Sequence, residues 1–478
     1  MTTATRKITI NPISRLEGHG KVTIHLDSSG EVEEAFLHIT QFRGYEHFCQ
    51  GRPFEEMPII TQRICGICPV SHQLAAAKAC DALCGVQIPE TAALLRELLH
   101  MGQFIQSHTL HFFHLASPDL LLGWDSDPAK RNVVGLIEAA PDLVRSGIRL
   151  RKFGQEIISA LGGKKIHPVF AVPGGVANPL PRGSRDKLLD GFEEAFRTAA
   201  TALGIIRDWV EGHLPEVQGF ANFRSHYVSL VDARGNLQLY DGELRIKSHE
   251  GATLAQFKPE AYLDYIAEYV EPWSYMKFPY FKPQSNKDGA YRVGPLARLN
   301  AVDGMGTPKA DAAFRVFRKN APNGVKGASL LYHHARMIEL LYGLEKAQSL
   351  LEDERILGRE VRTTAAALNA EGVGVIEAPR GTLIHHYGVD RHGMINKVNL
   401  IVATGNNNLA MNRAVTLVAK AHIHNAEINE GILNRVEGAI RCYDPCLSCA
   451  THALGQMQLT IEVLDMTGLC IARLERAS

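Results

Sequence analysis

Asp444-Pro445-Cys446-Leu447-Ser448-Cys449-Ala450-Thr451-His452 sets two thiols three positions apart and an imidazole three positions later. Asp444 suits a helix cap and Pro445 a first helical position, which predicts that Cys446 and Cys449 leave one face of an opening turn. A helix N-terminus also favours thiolate, the form that binds metals. This stretch is half of a site. Arg63-Ile64-Cys65-Gly66-Ile67-Cys68 supplies a matching pair nearly the whole chain away. The expectation is a fold that brings the two pairs together.

Four thiolates suggest zinc first. Structural zinc sites place their pairs within about fifteen to twenty residues, because the metal staples a small local fold. Here the intervening chain already suffices for a core, so a stapling four-cysteine zinc site is unnecessary. A functional metal fits better, and thiolates suit zinc, copper(I), iron–sulfur or nickel without choosing among them. A CxxC beside a helix also suits a thioredoxin-like dithiol, but that motif belongs in a βαβ unit, and this one lies between a hairpin and a long helical region. Cys49, Cys80, Cys84, Cys442 and Cys470 read as small buried hydrophobes.

The composition is that of an ordinary globular chain: 478 residues, 45% apolar and 21% charged. Length alone suggests about two to four domains. Lysine plus arginine equals aspartate plus glutamate, 51 each. That balance argues against a nucleic-acid or anionic-membrane surface. There is no apolar run of roughly eighteen residues to span a membrane. The first residues lack the apolar core of a secretory signal. Nine cysteines in so long a chain point to reduced thiols in the cytoplasm. Neither a P-loop nor a GxGxxG fingerprint is present, and no internal repeat is found.

Along the chain, residues 6–50 read as β-rich, with Lys21–Leu26 and Glu31–Thr40 alternating about a turn. Glu17 falls in the polar, glycine-rich Ser14–Gly20, whose plainest reading is a solvated turn. Arg43–His47 reads as an exposed strand end. Ser71–Cys84 and Glu90–Leu115 read as helices, the latter carrying His100, His108, His111 and His114 as core or interface residues more than as a metal face. Asp119 follows that helix. Helical patterns continue over Asp142–Leu161 and, as one helix of about thirty residues, over Ser184–Leu214. Strands are expected over Tyr227–Ile246, a surface excursion over 271–308, helices over Lys309–Lys319 and Ser329–Glu354, and β-rich structure over Glu371–Gly405. Asn408–Ile423 is an amphipathic helix, and the tail past His452 alternates as a hairpin. The fold class is mainly α with α+β character: a central bundle of long helices with peripheral small β-sheets. Its helical part spans 58–214 and 309–452, with β or irregular insertions at 227–308 and 371–405.

Together the two cysteine motifs, with His72 and His452, resemble the large, catalytic subunit of a nickel–iron hydrogenase. Arg15-Leu16-Glu17-Gly18-His19, Arg43-Gly44-Tyr45-Glu46 and Ala378-Pro379-Arg380-Gly381 match in family order, and the resemblance runs from residue 8 to the end. It is most similar to the cytoplasmic, bidirectional, NAD-reducing group. The resemblance implies the hydrogenase large-subunit fold, with Cys65 and Cys446 as terminal thiolates on nickel. Cys68 and Cys449 would bridge nickel to an iron carrying carbon monoxide and cyanide. Arg380, with Pro379 beside it, would stand over the open metal face, held by Asp119 and Asp444. Thr404 would lie near a cyanide, and His72 would hydrogen-bond a bridging sulfur. Glu46 and His452 would bind magnesium.

Splitting dihydrogen needs a Lewis-acidic metal and a nearby base. Cys446 is a base within the ligand set, and Glu17 is the carboxyl expected to relay the proton outward. The remaining cysteines have no iron–sulfur spacing, so electrons must leave through a partner. The family supplies a small subunit with iron–sulfur clusters and, in the NAD-linked group, a flavin (FMN) diaphorase. It also supplies nickel chaperones and an endopeptidase that cuts after the terminal histidine. Residues 1–452 would then form a single catalytic unit and 453–478 a maturation peptide. The rival from another class is the quinone-site subunit of a complex I-like enzyme, which shares the fold without the metal. The four cysteines speak against it.

Overall fold

The computed structural model describes residues 6–286, 288–319, 321–364, 367–449, 451, 459–464 and 470–476. Its centre is a set of long helices, Pro69–Cys84, Glu90–Leu110, Pro141–Gly162, Phe192–Gly212 and Leu331–Glu352. Glu90–Leu110 packs on both Pro141–Gly162 and Leu331–Glu352, which also packs on Phe192–Gly212. Around them lie small sheets. Arg6–Ile10, Gly20–Leu26 and Val32–Ile39 form an antiparallel three-stranded sheet. Glu371–Ala378, Gly381–Val389 and Ile395–Ile401 form another. His226–Val231, Glu243–Lys247 and Thr253–Phe257 are joined by the short parallel strand Tyr291–Arg292. The mainly α reading with peripheral sheets therefore holds. Among the described residues no helix is long and apolar enough to cross a membrane.

The stretch 271–308, expected as a surface excursion, instead carries the fully buried helix Pro295–Ala301, and three further local expectations are corrected. The single helix over Ser184–Leu214 is instead Arg182–Leu189, Phe192–Gly212 and Leu214–Gly219. The first break falls at Gly191, where a Cβ would lie 2.5 Å from the Phe153 ring of the neighbouring helix. Packing of that ring, not the local helical pattern, sets the boundary. The Glu90–Leu115 helix changes to a wider turn over His111–Ala116 before Ser117–Leu122. Pro118 has no N–H for the regular ladder, and Ser117 Oγ donates to the Phe112 carbonyl at 2.6 Å. Arg43–His47 is no strand end: Gly44 takes a left-handed φ of 61° and opens the helix Tyr45–Cys49.

One close approach positions the site. The alanine-rich helix Pro69–Cys84 lies backbone to backbone on the strand Glu371–Ala378, running in the opposite sense. A Cβ on Gly374 would sit 2.0 Å from the Ala75 carbonyl oxygen, and one on Gly372 would sit 2.3 Å from that of Ala79. Small residues on both elements permit this contact. Its consequence is geometric: the start of the helix, after Cys68, meets the end of the strand, before Arg380. Gly374→Ala should therefore destabilise the fold by about 3 kcal/mol, the upper end of the cost of overpacking. Denaturant unfolding of the purified protein checks this, and a change within error would show that the two backbones can part freely.

Candidate metal centre

The sulfurs of Cys65, Cys68, Cys446 and Cys449 lie within 4.8 Å of one another, and all four residues are buried. Cys65 Sγ is 3.3 Å from Cys446 Sγ, and Cys68 Sγ is 3.8 Å from Cys449 Sγ, across 381 residues of chain in each case. The expected joining of the two pairs is what the fold does. The Cys446 and Cys449 sulfurs are in contact with each other, their Cα atoms 5.5 Å apart. Cys49, Cys65, Cys68, Cys80, Cys84 and Cys442 are free and buried.

The two halves are built differently from the helical expectation. Asp444 has φ 52°, so it opens no α-helix; Cys446 precedes a short 3-10 turn, Leu447–Cys449, that carries Cys449. Its carboxylate faces Arg380, which removes it from capping. Arg380 donates from Nε to the Asp444 carbonyl at 2.5 Å and from Nη2 to Asp444 Oδ1 at 3.1 Å. In the first half, the amides of Ile67 and Cys68 point at Cys65 Sγ, at 3.2 and 3.3 Å.

The electrostatics separate the first pair. Hydrogen bonding with Cys68 holds the Cys65 thiol below its ordinary pKa against the cost of burial, and the Arg380 charge acts in the same direction. Cys68 is pushed well above its ordinary value by that same hydrogen bond and by burial. That hydrogen bond therefore favours the charged form at Cys65 over Cys68. Burial works against the Arg380 charge, but Asp444 and the thiols of Cys68 and Cys65 outweigh it and raise its pKa. Asp444 is raised by burial, with Arg380 opposing.

Glu17 is brought in by backbone pairing. It forms a parallel bridge with Cys446, and the Leu447 amide donates to its carbonyl at 3.0 Å. Its Oε2 lies 3.0 Å from Cys446 Sγ and accepts from the Ser448 amide at 3.2 Å. The solvated-turn reading of Glu17 is therefore replaced: the residue is half-buried against the second cysteine pair.

Cys68, Cys446, Cys449, His72, Arg380 and Thr404 line one small cavity, with Ser71 and Ala378. Thr404 Oγ1 accepts from the Cys446 amide at 2.9 Å. His72 Nδ1 is 3.2 Å from His385 Nε2, and His385 Nδ1 is 2.6 Å from the Tyr387 hydroxyl. Pro379 lies next to Arg380 in the chain but is not part of the lining. Arg380 Nη1 and Asp444 Oδ2 are buried without a hydrogen-bond partner among the described residues. A buried donor left open in a cavity of sulfurs suits an acceptor held among those sulfurs.

Asp119 is the clear correction. It binds Arg15, accepts from Arg441 Nε at 2.9 Å and from Asn434 Nδ2 at 3.0 Å, and Arg380 is not among its partners. The cause is the wide turn at His111–Ala116, after which Asp119 faces the helix Glu430–Arg441. Glu46 accepts from the Leu400 amide at 2.9 Å and lies 3.6 Å from Lys277 Nζ. The Thr451 carbonyl accepts from the Arg43 and Gly44 amides, both at 3.1 Å, next to the helix carrying Glu46. His452 falls outside the described residues.

Of the histidines along this stretch, His100, His108 and His111 are core residues, as read, and His114 is half-buried. His100 Nε2 meets the Glu377 carbonyl at 2.8 Å, His108 Nε2 meets Glu339 at 2.9 Å and His111 Nε2 meets the Arg441 carbonyl at 2.9 Å. Burial holds His100 and His108 down to about 4. Sequence reasoning missed His385, Tyr387, Glu377 and Arg298. The one available signal was Glu377, a carboxylate inside the apolar run Val375-Ile376-Glu377-Ala378.

Comparison with known proteins agrees with this geometry. A family model described as nickel-dependent hydrogenase matches residues 43–125 and 221–452, and one described as HoxL-like matches 7–42. The chain is 45% identical to the NAD-reducing hydrogenase HoxS subunit beta of Cupriavidus necator, over 98% of this chain and 99% of that one. It is 47% identical to a vhu-type F420-non-reducing hydrogenase chain of Methanocaldococcus jannaschii, over 87% of this chain and 99% of that one. The solved structure of an NAD+-reducing [NiFe]-hydrogenase in the H2-reduced state superposes with a TM-score of 0.92 at 50% identity, covering 94% of this chain and 100% of that one.

Proposed function

The chain belongs to the nickel-dependent hydrogenase family as a catalytic large subunit, and from that premise we propose how its residues work. The observation that carries the reading is the cage of four buried sulfurs within 4.8 Å, drawn from opposite ends of the sequence. Cys65, Cys446, Cys68 and Cys449 would hold a nickel–iron centre through their thiolates. The open Arg380 Nη1 donor suits a cyanide on that iron. When bound, the metals supply a Lewis-acidic, redox-active pair that polarises dihydrogen and takes up its two electrons.

The chain's own residues do the rest. The Cys446 sulfur accepts the proton, and Glu17, 3.0 Å away, carries it towards the surface. Arg380, clasped by Asp444, presents a fixed charge and an open donor to the cavity. Thr404 holds the Cys446 amide and so its sulfur. His72 hydrogen-bonds a bridging sulfur. Glu46 and His452 would bind magnesium. Electrons leave through a small subunit bearing iron–sulfur clusters, then through a diaphorase with FMN to NAD+. The NAD-reducing relative supports that last link. Residues 1–452 are the catalytic unit, and 453–478 are removed by a maturation endopeptidase after nickel loading in the cytoplasm. The family match stopping at residue 452 supports that boundary.

Infrared spectroscopy of the anaerobically purified, partner-bound protein tests the reading. Carbon monoxide and cyanide stretching bands are expected, and their absence would end it. Arg380→Lys should keep the metals and lower hydrogen oxidation by about 10²-fold, because one ammonium cannot replace a planar fork that binds two Asp444 acceptors and leaves a third donor free. Dye-linked activity with metal analysis of the same sample checks this. Unchanged turnover would remove Arg380 from the reaction.

A further inference from the structure

Arg380 sits at the tip of a hairpin. Ala378 pairs with Gly381, so Pro379 and Arg380 are its two-residue turn. That turn is gripped from behind by one side chain. Arg298, on the helix Pro295–Ala301, is fully buried and uses all five guanidinium N–H groups. Nε and Nη2 donate to the two oxygens of Glu339, both at 2.6 Å. Nη1 donates to Glu377 Oε2 and to the Ala378 carbonyl, both at 2.9 Å, and Nη2 also reaches the Pro379 carbonyl at 3.1 Å. The carboxylates are completed in turn. His108 Nε2 lies 2.9 Å from Glu339 Oε2, and Glu377 Oε1 accepts from Thr382 Oγ1 at 2.7 Å and from the Leu230 amide at 3.2 Å.

None of Arg298, Glu339 or Glu377 lines the cavity. Yet two of Arg298's five bonds go to the carbonyls of the two residues immediately before Arg380. An ion cluster serving only the core would need no bond to that turn. We propose that Arg298, braced by Glu339 and Glu377, is a positioning residue for Arg380: it locks the Ala378–Pro379 main chain, so the Arg380 guanidinium keeps one place over the cysteine cage. The inference rests on the role proposed above for Arg380. Its physical logic is that a charged group in a low-dielectric cavity acts through placement, and a rigid support behind the reacting shell maintains that placement. Lysine at 298 would keep the charge but could not hold both Glu339 oxygens and both carbonyls at once.

The test is a cycle of Arg298→Lys and Arg380→Lys in the partner-bound complex, read by infrared bands, dye-linked turnover and thermal unfolding. Arg298→Lys alone should lower kcat about tenfold, the effect of an outer supporting group, with metal content intact. Its cyanide bands should shift in the direction seen for Arg380→Lys, while the carbon monoxide band stays. In the double variant the Arg298 change should add nothing to the Arg380→Lys loss, because the two act through one group. Multiplying losses, or unmoved cyanide bands with a lowered unfolding temperature, would make Arg298 a core residue only and overturn the proposal. If Arg298→Lys fails to assemble, Glu339→Gln, which keeps the side-chain size and weakens the brace, enters the same cycle with the same criteria. A wild-type complex with no carbon monoxide or cyanide bands would instead sink the reading of the site itself, so the two failures are distinguishable.

Discussion

Cys446→Ser is expected to abolish hydrogen turnover and to empty the site of nickel. Cys446 stands at the crossing of the two halves, 3.3 Å from Cys65 Sγ and 3.0 Å from Glu17 Oε2. Serine has nearly the same shape, so the fold should survive, with the unfolding free energy lowered by about 1 kcal/mol, the usual cost of a point substitution. The chemistry does not survive. A hydroxyl is a hard, poorly ionised ligand where a soft thiolate is needed. It is also too weak a base for the relay proposed for Cys446 and Glu17. Nickel per chain should fall at least about tenfold, since even outer-shell changes at metal sites cost 10–100-fold in affinity. Elemental analysis of the anaerobically purified complex, with hydrogen-dependent dye reduction, measures both. A variant that keeps nickel and turns over normally would remove Cys446 from both roles.

Glu17→Gln should give the opposite pairing: metals retained and turnover lost. The amide can still accept from the Ser448 amide, a 3.2 Å contact in the native chain, and the bridge between Glu17 and Cys446 is backbone-held. Geometry and metal content should therefore stand. What disappears is a group able to accept and release a proton. Turnover and proton–deuterium exchange should both fall by about 10²–10⁴-fold, the usual worth of positioned acid–base catalysis. Glu17→Asp separates charge from reach: it keeps the acid but withdraws it by one methylene, and should recover only part of the rate. Gas-phase isotope exchange by mass spectrometry is the measurement. Normal exchange in Glu17→Gln would reassign the relay to another residue.

The two cysteine pairs show why so much of the site was legible. Ligand identity is a property of residue type, and the donor set for a soft metal reads directly from two CxxC motifs and their flanks. The motif around Glu17 was legible as a resemblance, but its local pattern, polar and glycine-rich, reads as a solvated turn. It becomes part of the site only because its backbone pairs with Cys446. Asp119 shows the reverse failure. Its type and place suggested a partner for Arg380, yet the wide turn before Pro118 directs it to Arg15 and Arg441 instead. The break at Gly191 failed for a related reason: a helical pattern runs through it, and a ring from another helix interrupts it.

Sequence by itself determined the candidate sulfur donors, the helical and strand periodicities and the family to which they point, because each is encoded in neighbouring residues and their spacing. Tertiary structure alone decided where the ligands meet. Gly372 and Gly374 let a helix and a strand touch backbone to backbone, which brings Cys68 beside the hairpin of Arg380. It also decided which acid serves which arginine, and revealed the buried clamp of Arg298 behind that hairpin. Those outcomes depend on contacts between residues tens to hundreds of positions apart. They arise from packing and desolvation, where a buried charge takes whichever partner the fold presents, and no local pattern of residues carries that choice.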